Sequence, residues 1–382
     1  MYWSWNKNGV RHASWGQPRL LDDISYTALE ARFDVPVYAG NRIGPGESMV
    51  MMMQGDATLG LGDSIWLMNY MRDVWNVKSR RRGEFTFVSS PSVAHFYSNF
   101  LPQPFHYVQE YLKWTTFEAF NHKLPSMYYW NDPVDGAARS WLDNKSILER
   151  LYDLSGMEYT GLLDWGDFTN EELLYPSSDF YERLNINKND RYVFLQWHSS
   201  GHAKNMPPST NLKIINHIVK TYGLKVYVVG KLTCLDAINN LPGVVNLSGK
   251  TELEDLIPLA FNSDFIVCPD SAGMHLSEAY KIPCVCVMST LPPVYVASKY
   301  KIPAFMFGSG FCPFRPCGVV HALPKETKCP SDTGRYCKVM EDLDLEVFDA
   351  SIVKSFNNRA AYRSKASVNF YESMNQPISL CN

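Results

Sequence analysis

Three short loops combine small, acidic and basic residues in patterns suited to a phosphorylated substrate. The first, Gly60-Leu61-Gly62-Asp63, leads directly into a helical pattern. Its glycines let the backbone come close to a substrate, and Asp63 puts a carboxylate at the helix entrance, where it would also serve as a plain N-cap. The second is WHSSGHAK at 197–204. Ser199, Ser200, the Gly201 amide and Lys204 could hold a phosphate, and a solvated loop fits the same pattern. The third runs Asp270-Ser271-Ala272-Gly273-Met274-His275. Small residues there open a helix whose unpaired N–H groups and dipole favour a diphosphate, with His275 one turn inside. Tight packing of a small-residue turn around a partly buried histidine is the alternative.

Each loop comes after an apolar run that reads as a strand. Residues 48–54 (SMVMMMQ) precede the first loop, and a helix is expected from Ser64 to about Val77, with Ile65, Met68, Met71 and Trp75 on one face. A second strand is expected at 84–88 and a helix at 92–100. Residues 101–180 are aromatic-rich and weakly periodic. In the second half, strands are expected at 191–197, 225–229, 244–247, 264–268 and 283–288. Helices are expected at 209–222, near Asp236, at 251–262 and at 271–281, and a further one near 346–356 could cross back to the first domain. Thr251 and Glu254 have capping-box spacing, and Pro258 should kink their helix. Apolar strands alternating with helices argue a parallel sheet covered on both faces. Two such sheets facing across a cleft would bind ligands at the carboxyl ends of their strands.

The chain has 382 residues, which suggests two domains. The expected division is an extension at 1–45, polar and aperiodic, a first α/β domain at 46–185, a second at 190–340, and a helix with tail at 341–382. The polar stretch at 185–190 (NINKND) is the expected hinge. Hydrophobic residues at 46% and charged residues at 20% exclude a disordered or collagen-like chain. A net charge of −3 gives no global pull toward nucleic acid or anionic membrane. No apolar run approaches the roughly 18 residues of a membrane span, and the N-terminus lacks a signal-peptide core, so a cytoplasmic protein is expected. The nine cysteines all fall at or after Cys234. Cys268, Cys284 and Cys286 lie in apolar runs and read as buried free thiols. Cys312, Cys317, Cys329 and Cys337 cluster in a Pro/Gly-rich region with His321. Zinc, free thiols and a local disulfide are all open there, and no CxxC knuckle is present.

The stretch at 246–288, NLSGKTELEDLIPLAFNSDFIVCPDSAGMHLSEAYKIPCVCVM, resembles the C-terminal core of the heptosyltransferases, glycosyltransferase family nine. Gly60–Asp63 resembles the family's Gly-Asp turn after its first strand. Ser200 and Lys204 stand where the family has a phosphate-binding Thr and Lys, and the Cys312–Cys337 region resembles a cysteine-bearing loop of some relatives. The resemblance covers most of 48–300. It implies a GT-B fold: two Rossmann-like α/β domains with parallel sheets facing across a cleft. It also implies roles. Asp63 inherits the general base, and Gly60 and Gly62 line the loop near the acceptor. Ser200, Lys204, Ser271, Gly273 and His275 hold the donor diphosphate, and Asp270 belongs to the nucleotide site. Two features depart from the family pattern. Its glycine two residues after the Asp is Ala272 here, with Gly273 one later, and Cys234 falls near the place of its ribose-contacting acid.

The resemblance therefore implies an inverting, metal-independent transferase. It moves a sugar, heptose-type or related, from a nucleotide-diphospho-sugar to a hydroxyl, with no further cofactor. No DxD-type metal motif is apparent. A saccharide acceptor is favoured over hydroxylated DNA bases, for which the run Lys78-Ser79-Arg80-Arg81-Arg82 is the sequence support. A GT-B protein that binds nucleotide or sugar without turnover is the reading outside enzymology.

Overall fold

Among the described residues, strand-forming stretches assemble into three sheets. The computed structural model describes residues 2–7, 10–15, 26–28, 48–52, 61–78, 84–88, 105–108, 122–124, 145–162, 165, 171–199, 204–230, 238–289, 291–312 and 336–374. The chain divides into two compact units: Met1–Leu173 with Leu291–Lys299, and Leu174–Thr290 with Tyr300–Asn382.

The first unit opens with β1 (Tyr2–Lys7), β2 (Val10–Trp15) and β3 (Tyr26–Ala28), an antiparallel sheet in the order β2-β1-β3. The stretch expected as an extension at 1–45 thus holds strands for which no element was expected. Lys7 pairs with Val10, so only Asn8-Gly9 separates the two strands, a sequence signature of a two-residue hairpin loop. Trp3 and Trp5 on β1 are strong strand formers.

Next come β4 (Ser48–Met52), α1 (Leu61–Asp73) continued by a π-turn at Val74–Lys78, β5 (Glu84–Val88), β6 (Phe105–Val108) and β7 (His122–Leu124). The four strands form a wholly parallel sheet ordered β6-β5-β4-β7. Strand order reverses beside β4, the place where open α/β sheets form a ligand crevice. α1 begins three residues earlier than expected, so Asp63 lies inside its first turn. Buried Ile65, Met68 and Val74 anchor the helix. β6 and β7 have no counterpart among the expected elements; they are too short for a period-2 pattern to stand out among aromatic residues. α2 (Ile147–Leu154) starts with a full capping box: the Glu149 amide donates to Ser146 Oγ (3.1 Å) and the Ser146 amide to Glu149 Oε2 (2.8 Å).

Short helices α3 (Glu171–Leu174) and α4 (Ser178–Leu184) lead to the second large sheet. Its elements are β8 (Tyr192–Gln196), α5 (Pro208–Tyr222), β9 (Lys225–Val229), β10 (Val244–Asn246), α6 (Leu256–Phe261), β11 (Phe265–Pro269), α7 (Ala272–Tyr280) and β12 (Cys284–Met288). After β12 the chain passes through α8 (Pro293–Val296), which packs with the first unit, and returns to β13 (Ala304–Phe307) and the long α9 (Leu345–Met374). Six parallel strands run in the order β10-β9-β8-β11-β12-β13. In chain order this is third, second, first, fourth, fifth, sixth, the doubly wound arrangement, with its crevice between β8 and β11. Every residue of β11 and β12 is buried, as the all-apolar runs require of strands covered on both faces.

α9 lies against β12 and β13 of its own unit, burying Phe348 and Ile352. Ser355 fastens it: its hydroxyl donates to Ile302 O (2.7 Å) and accepts from the Cys284 amide (2.8 Å). The helix expected at 251–262 is shorter and starts at Leu256. A helix begun at Thr251 would need an N–H from Pro258 for the Glu254 carbonyl, and proline has none. In the first turn of α6 Pro258 leaves no bond missing. Asp255 replaces the expected capping box by accepting from the Glu252 amide (2.8 Å) and pairing with Arg183. The helices expected at 92–100 and near Asp236 lie outside the described residues.

Candidate functional site

The crevice of the six-stranded sheet gathers the loops at the carboxyl ends of β8 and β11. Beyond β8, buried Trp197 holds the chain down, and the Ser199 amide donates to Asn205 Oδ1 (2.6 Å), folding the loop back on itself. This brings Lys204 over the end of β11. Its Nζ lies 2.8 Å from Asp270 Oδ2, with only 14% of the lysine side chain and 5% of the aspartate side chain exposed. The contact is an ion pair without the direction of a hydrogen bond. A pair so withdrawn from water is costly to break from one side.

Ser271 is the N-cap position of α7, but its side chain caps nothing within the helix. Gln196, the last residue of β8, does so from across the crevice. Its Oε1 accepts from the Gly273 amide (2.9 Å) and lies 2.9 Å from the Ser271 hydroxyl, which can donate to it or to Pro269 O (3.1 Å). Its Nε2 donates to His198 O (3.2 Å). A Cβ at 273 would come 3.0 Å from Cys268 Cβ and 3.2 Å from Gln196 Oε1, tight contacts that the glycine avoids. Beneath the turn, Cys268, Cys284 and Cys286 are free and buried, as expected of thiols in apolar strands.

His275 is 4% exposed. Burial lowers its pKa to about 4; nearby Lys204 adds to the shift and Asp270 opposes it. It is neutral at pH 7, and its Nδ1 is 2.6 Å from the Tyr300 hydroxyl. It can therefore offer a diphosphate a hydrogen bond but no charge. The depressed pKa carries a stability consequence. Its effect is absent above the unfolded value near 6.5; as pH falls toward 4 the unfolded chain takes up the proton first, so the folded state loses ground. The expected loss is about 3 kcal/mol across that window. Urea unfolding of the wild type and His275→Gln between pH 7 and 4 reads it: the wild type should fall more steeply by that amount, and parallel curves would refute it.

Lys204, Asp270, Ser271, Gly273 and His275 come together at this one crevice. In the other unit, Gly62 is buried in the first turn of α1, with Asp63 next to it in the chain; the Asp63 side chain, Gly60 and Ser200 lie outside the described residues. Cys312 is half-buried and Cys337 buried, while Cys317 and Cys329 lie outside the described residues. The chain on either side of that loop pairs tightly: the Ser309 amide donates to Asp342 O (2.9 Å) and the Gly310 amide to Val339 O (3.2 Å). Of the basic run, Lys78 donates to Gly156 O (3.3 Å), and the four residues after it lie outside the described residues. Sequence reasoning missed Gln196 and Tyr300. A polar residue closing an apolar strand is the signal that Gln196 offers; Tyr300 offers none, because its partner is set by where the chain returns after α8.

Residues 169–301 match the profile of Glycosyltransferase family 9 (heptosyltransferase). That span contains both loops of the crevice. No curated protein matches by sequence. Among solved structures, the E. coli ADP-heptose LPS heptosyltransferase II is 14% identical, with a TM-score of 0.51 over 80% of this chain and 98% of that one. The iron-containing dodecameric glycosyltransferase TibC from enterotoxigenic E. coli is 15% identical, with a TM-score of 0.56 over 92% and 82%. TibC in complex with ADP-D-beta-D-heptose gives the same TM-score and coverage at 13% identity. At such identities the structures speak for the fold, and the profile speaks for the domain that holds the crevice. The chain is a glycosyltransferase of the GT-B fold whose residues 169–301 form a family 9 (heptosyltransferase) domain.

Proposed function

We propose that the protein transfers a sugar, heptose-type or related, from a nucleotide-diphospho-sugar to a saccharide hydroxyl, with inversion at the anomeric carbon. The observation that carries this reading is the Lys204–Asp270 pair beside the first turn of α7, at the strand-order reversal of the sheet and inside the family-matched segment. That TibC has been captured with ADP-D-beta-D-heptose supports an ADP-linked donor.

Charge on the departing diphosphate is met by the Lys204 ammonium, by the N-terminal dipole of α7 at Ser271 and Gly273, whose hydroxyl and amide are themselves held by Gln196, by Ser200, and by a hydrogen bond from neutral His275. Asp270 orients Lys204. Asp63 takes the acceptor's proton as its oxygen bonds to the anomeric carbon. The bond from that carbon to the diphosphate breaks in the same displacement, and nucleoside diphosphate leaves. Gly60 and Gly62 let the backbone at the start of α1 come close to the acceptor. This compensation is metal-independent, and a cytoplasmic location forms part of the reading. TibC is iron-containing. Here Cys312, Cys317, Cys329 and Cys337 supply soft thiolate donors, and the pairing of 309–310 with 339–342 closes the loop that bears them. An iron or zinc ion held there would brace that loop and take no part in transfer.

Incubation with a panel of nucleotide sugars and saccharide acceptors, read by released nucleoside diphosphate, tests the proposal. ADP-heptose-type donors should give release that rises with a saccharide. Release that rises only with hydroxymethylated DNA would replace the acceptor, and no release with any donor would replace turnover by binding alone.

A further inference from the structure

Gln196 ties three pieces of the crevice with one side chain: the end of β8, the loop at His198 and the first turn of α7. An N-terminal helix amide is normally satisfied by the helix's own N-cap. Here the cap comes from a different strand, and the helix's own Ser271 turns its hydroxyl toward Gln196 and Pro269. Gly273 leaves room for this contact, since a Cβ there would press on Gln196 Oε1 and Cys268. The cap is also uncharged. A carboxylate at this place would complement the helix dipole better and bind the Gly273 amide more strongly. A neutral amide gives up that stabilisation and leaves the turn free to receive a separate anion.

We propose that Gln196 is a positioning residue for the donor: it fixes the first turn of α7 with a neutral oxygen, so that the turn's charge complementarity is kept for the diphosphate. The inference rests on the donor reading given above. It makes stability and affinity respond in opposite directions, which a purely structural cap would not do. Gln196→Glu keeps an acceptor oxygen for Gly273 and adds favourable charge at the helix start, which offsets the oxygen–oxygen contact that replaces the donation to His198 O. It also places a negative charge within a few ångströms of the diphosphate, where repulsion in a partly buried crevice is strong.

The experiment is calorimetric titration of wild type, Gln196→Glu and Gln196→Met with ADP, UDP, GDP and CDP, alongside thermal unfolding of each protein. For the nucleotide that the wild type binds, Gln196→Glu should bind at least about ten-fold more weakly with an unchanged or raised unfolding midpoint. Gln196→Met, of similar volume and without an acceptor, should lower the midpoint and weaken binding too. Should Gln196→Glu not fold, Gln196→Met alone decides by its affinity. Wild-type affinity in either folded variant overturns the inference, as does a Gln196→Glu affinity loss accompanied by a fall in midpoint like that of Gln196→Met. A wild type that binds none of the four diphosphates overturns the donor reading itself, an outcome distinct from these.

Discussion

Asp63→Asn should lower turnover by about 100- to 10,000-fold while nucleoside-diphosphate affinity stays nearly constant. Asparagine has the size of aspartate but cannot accept the acceptor's proton, so only the chemical step suffers. The backbone position sets Asp63 past the N-cap of its helix. α1 begins at Leu61, which puts Asp63 within the first turn, and the turn comes after β4, beside which the four-stranded sheet reverses its order. A carboxylate serving only the helix dipole is worth about 0.3–1 kcal/mol there, and its loss would leave turnover almost intact. Rate and stability therefore separate the two roles in one variant. A drop of a few-fold with a matching loss of stability would return Asp63 to a structural part.

Lys204→Ala should cost on two accounts. Removing the ammonium takes away a charge-assisted contact to the donor diphosphate, expected to weaken nucleoside-diphosphate binding by about 1.5–3 kcal/mol, or roughly 10- to 150-fold. It also strands Asp270, whose side chain is 5% exposed and sits 2.8 Å from the lysine. Breaking a buried pair from one side typically costs about 3–5 kcal/mol of folding stability. The double variant Lys204→Ala/Asp270→Asn distinguishes the two, because it removes the stranded charge without restoring the cation. Its stability should recover much of the loss and its diphosphate affinity should not. Recovery of both would mean that Lys204 serves Asp270 and not the donor.

The second unit is more legible in the sequence than the first because its strands are buried on both faces. Runs such as RYVFLQ, KVYVV and CVCVM need no partner to be recognised, and they fall where expected to within a residue or two. The loops after β8 and β11 stand out for the same reason: small and charged residues are conspicuous at the end of an apolar run. In the first unit β6 and β7 span only four and three residues of an aromatic-rich stretch of sequence, so they offer no period to read. The hairpin of β1 and β2 is written in Asn8-Gly9, but the polar, aperiodic residues around it hide the strands that the turn joins. Arg183 with Asp255, His275 with Tyr300, and Gln196 with Gly273 are settled by tertiary placement, which local spacing does not encode.

Proton removal by Asp63 and donor binding by Lys204 are tested together by one set of initial-rate measurements. Release of nucleoside diphosphate is read against donor concentration for wild type, Asp63→Asn and Lys204→Ala at a fixed saccharide acceptor concentration. Asp63→Asn should lower kcat by at least about 100-fold with KM for the donor nearly unchanged, while Lys204→Ala should raise that KM by roughly ten-fold or more. An Asp63→Asn enzyme with wild-type kcat, or a Lys204→Ala enzyme with wild-type donor KM, would contradict this division of labour.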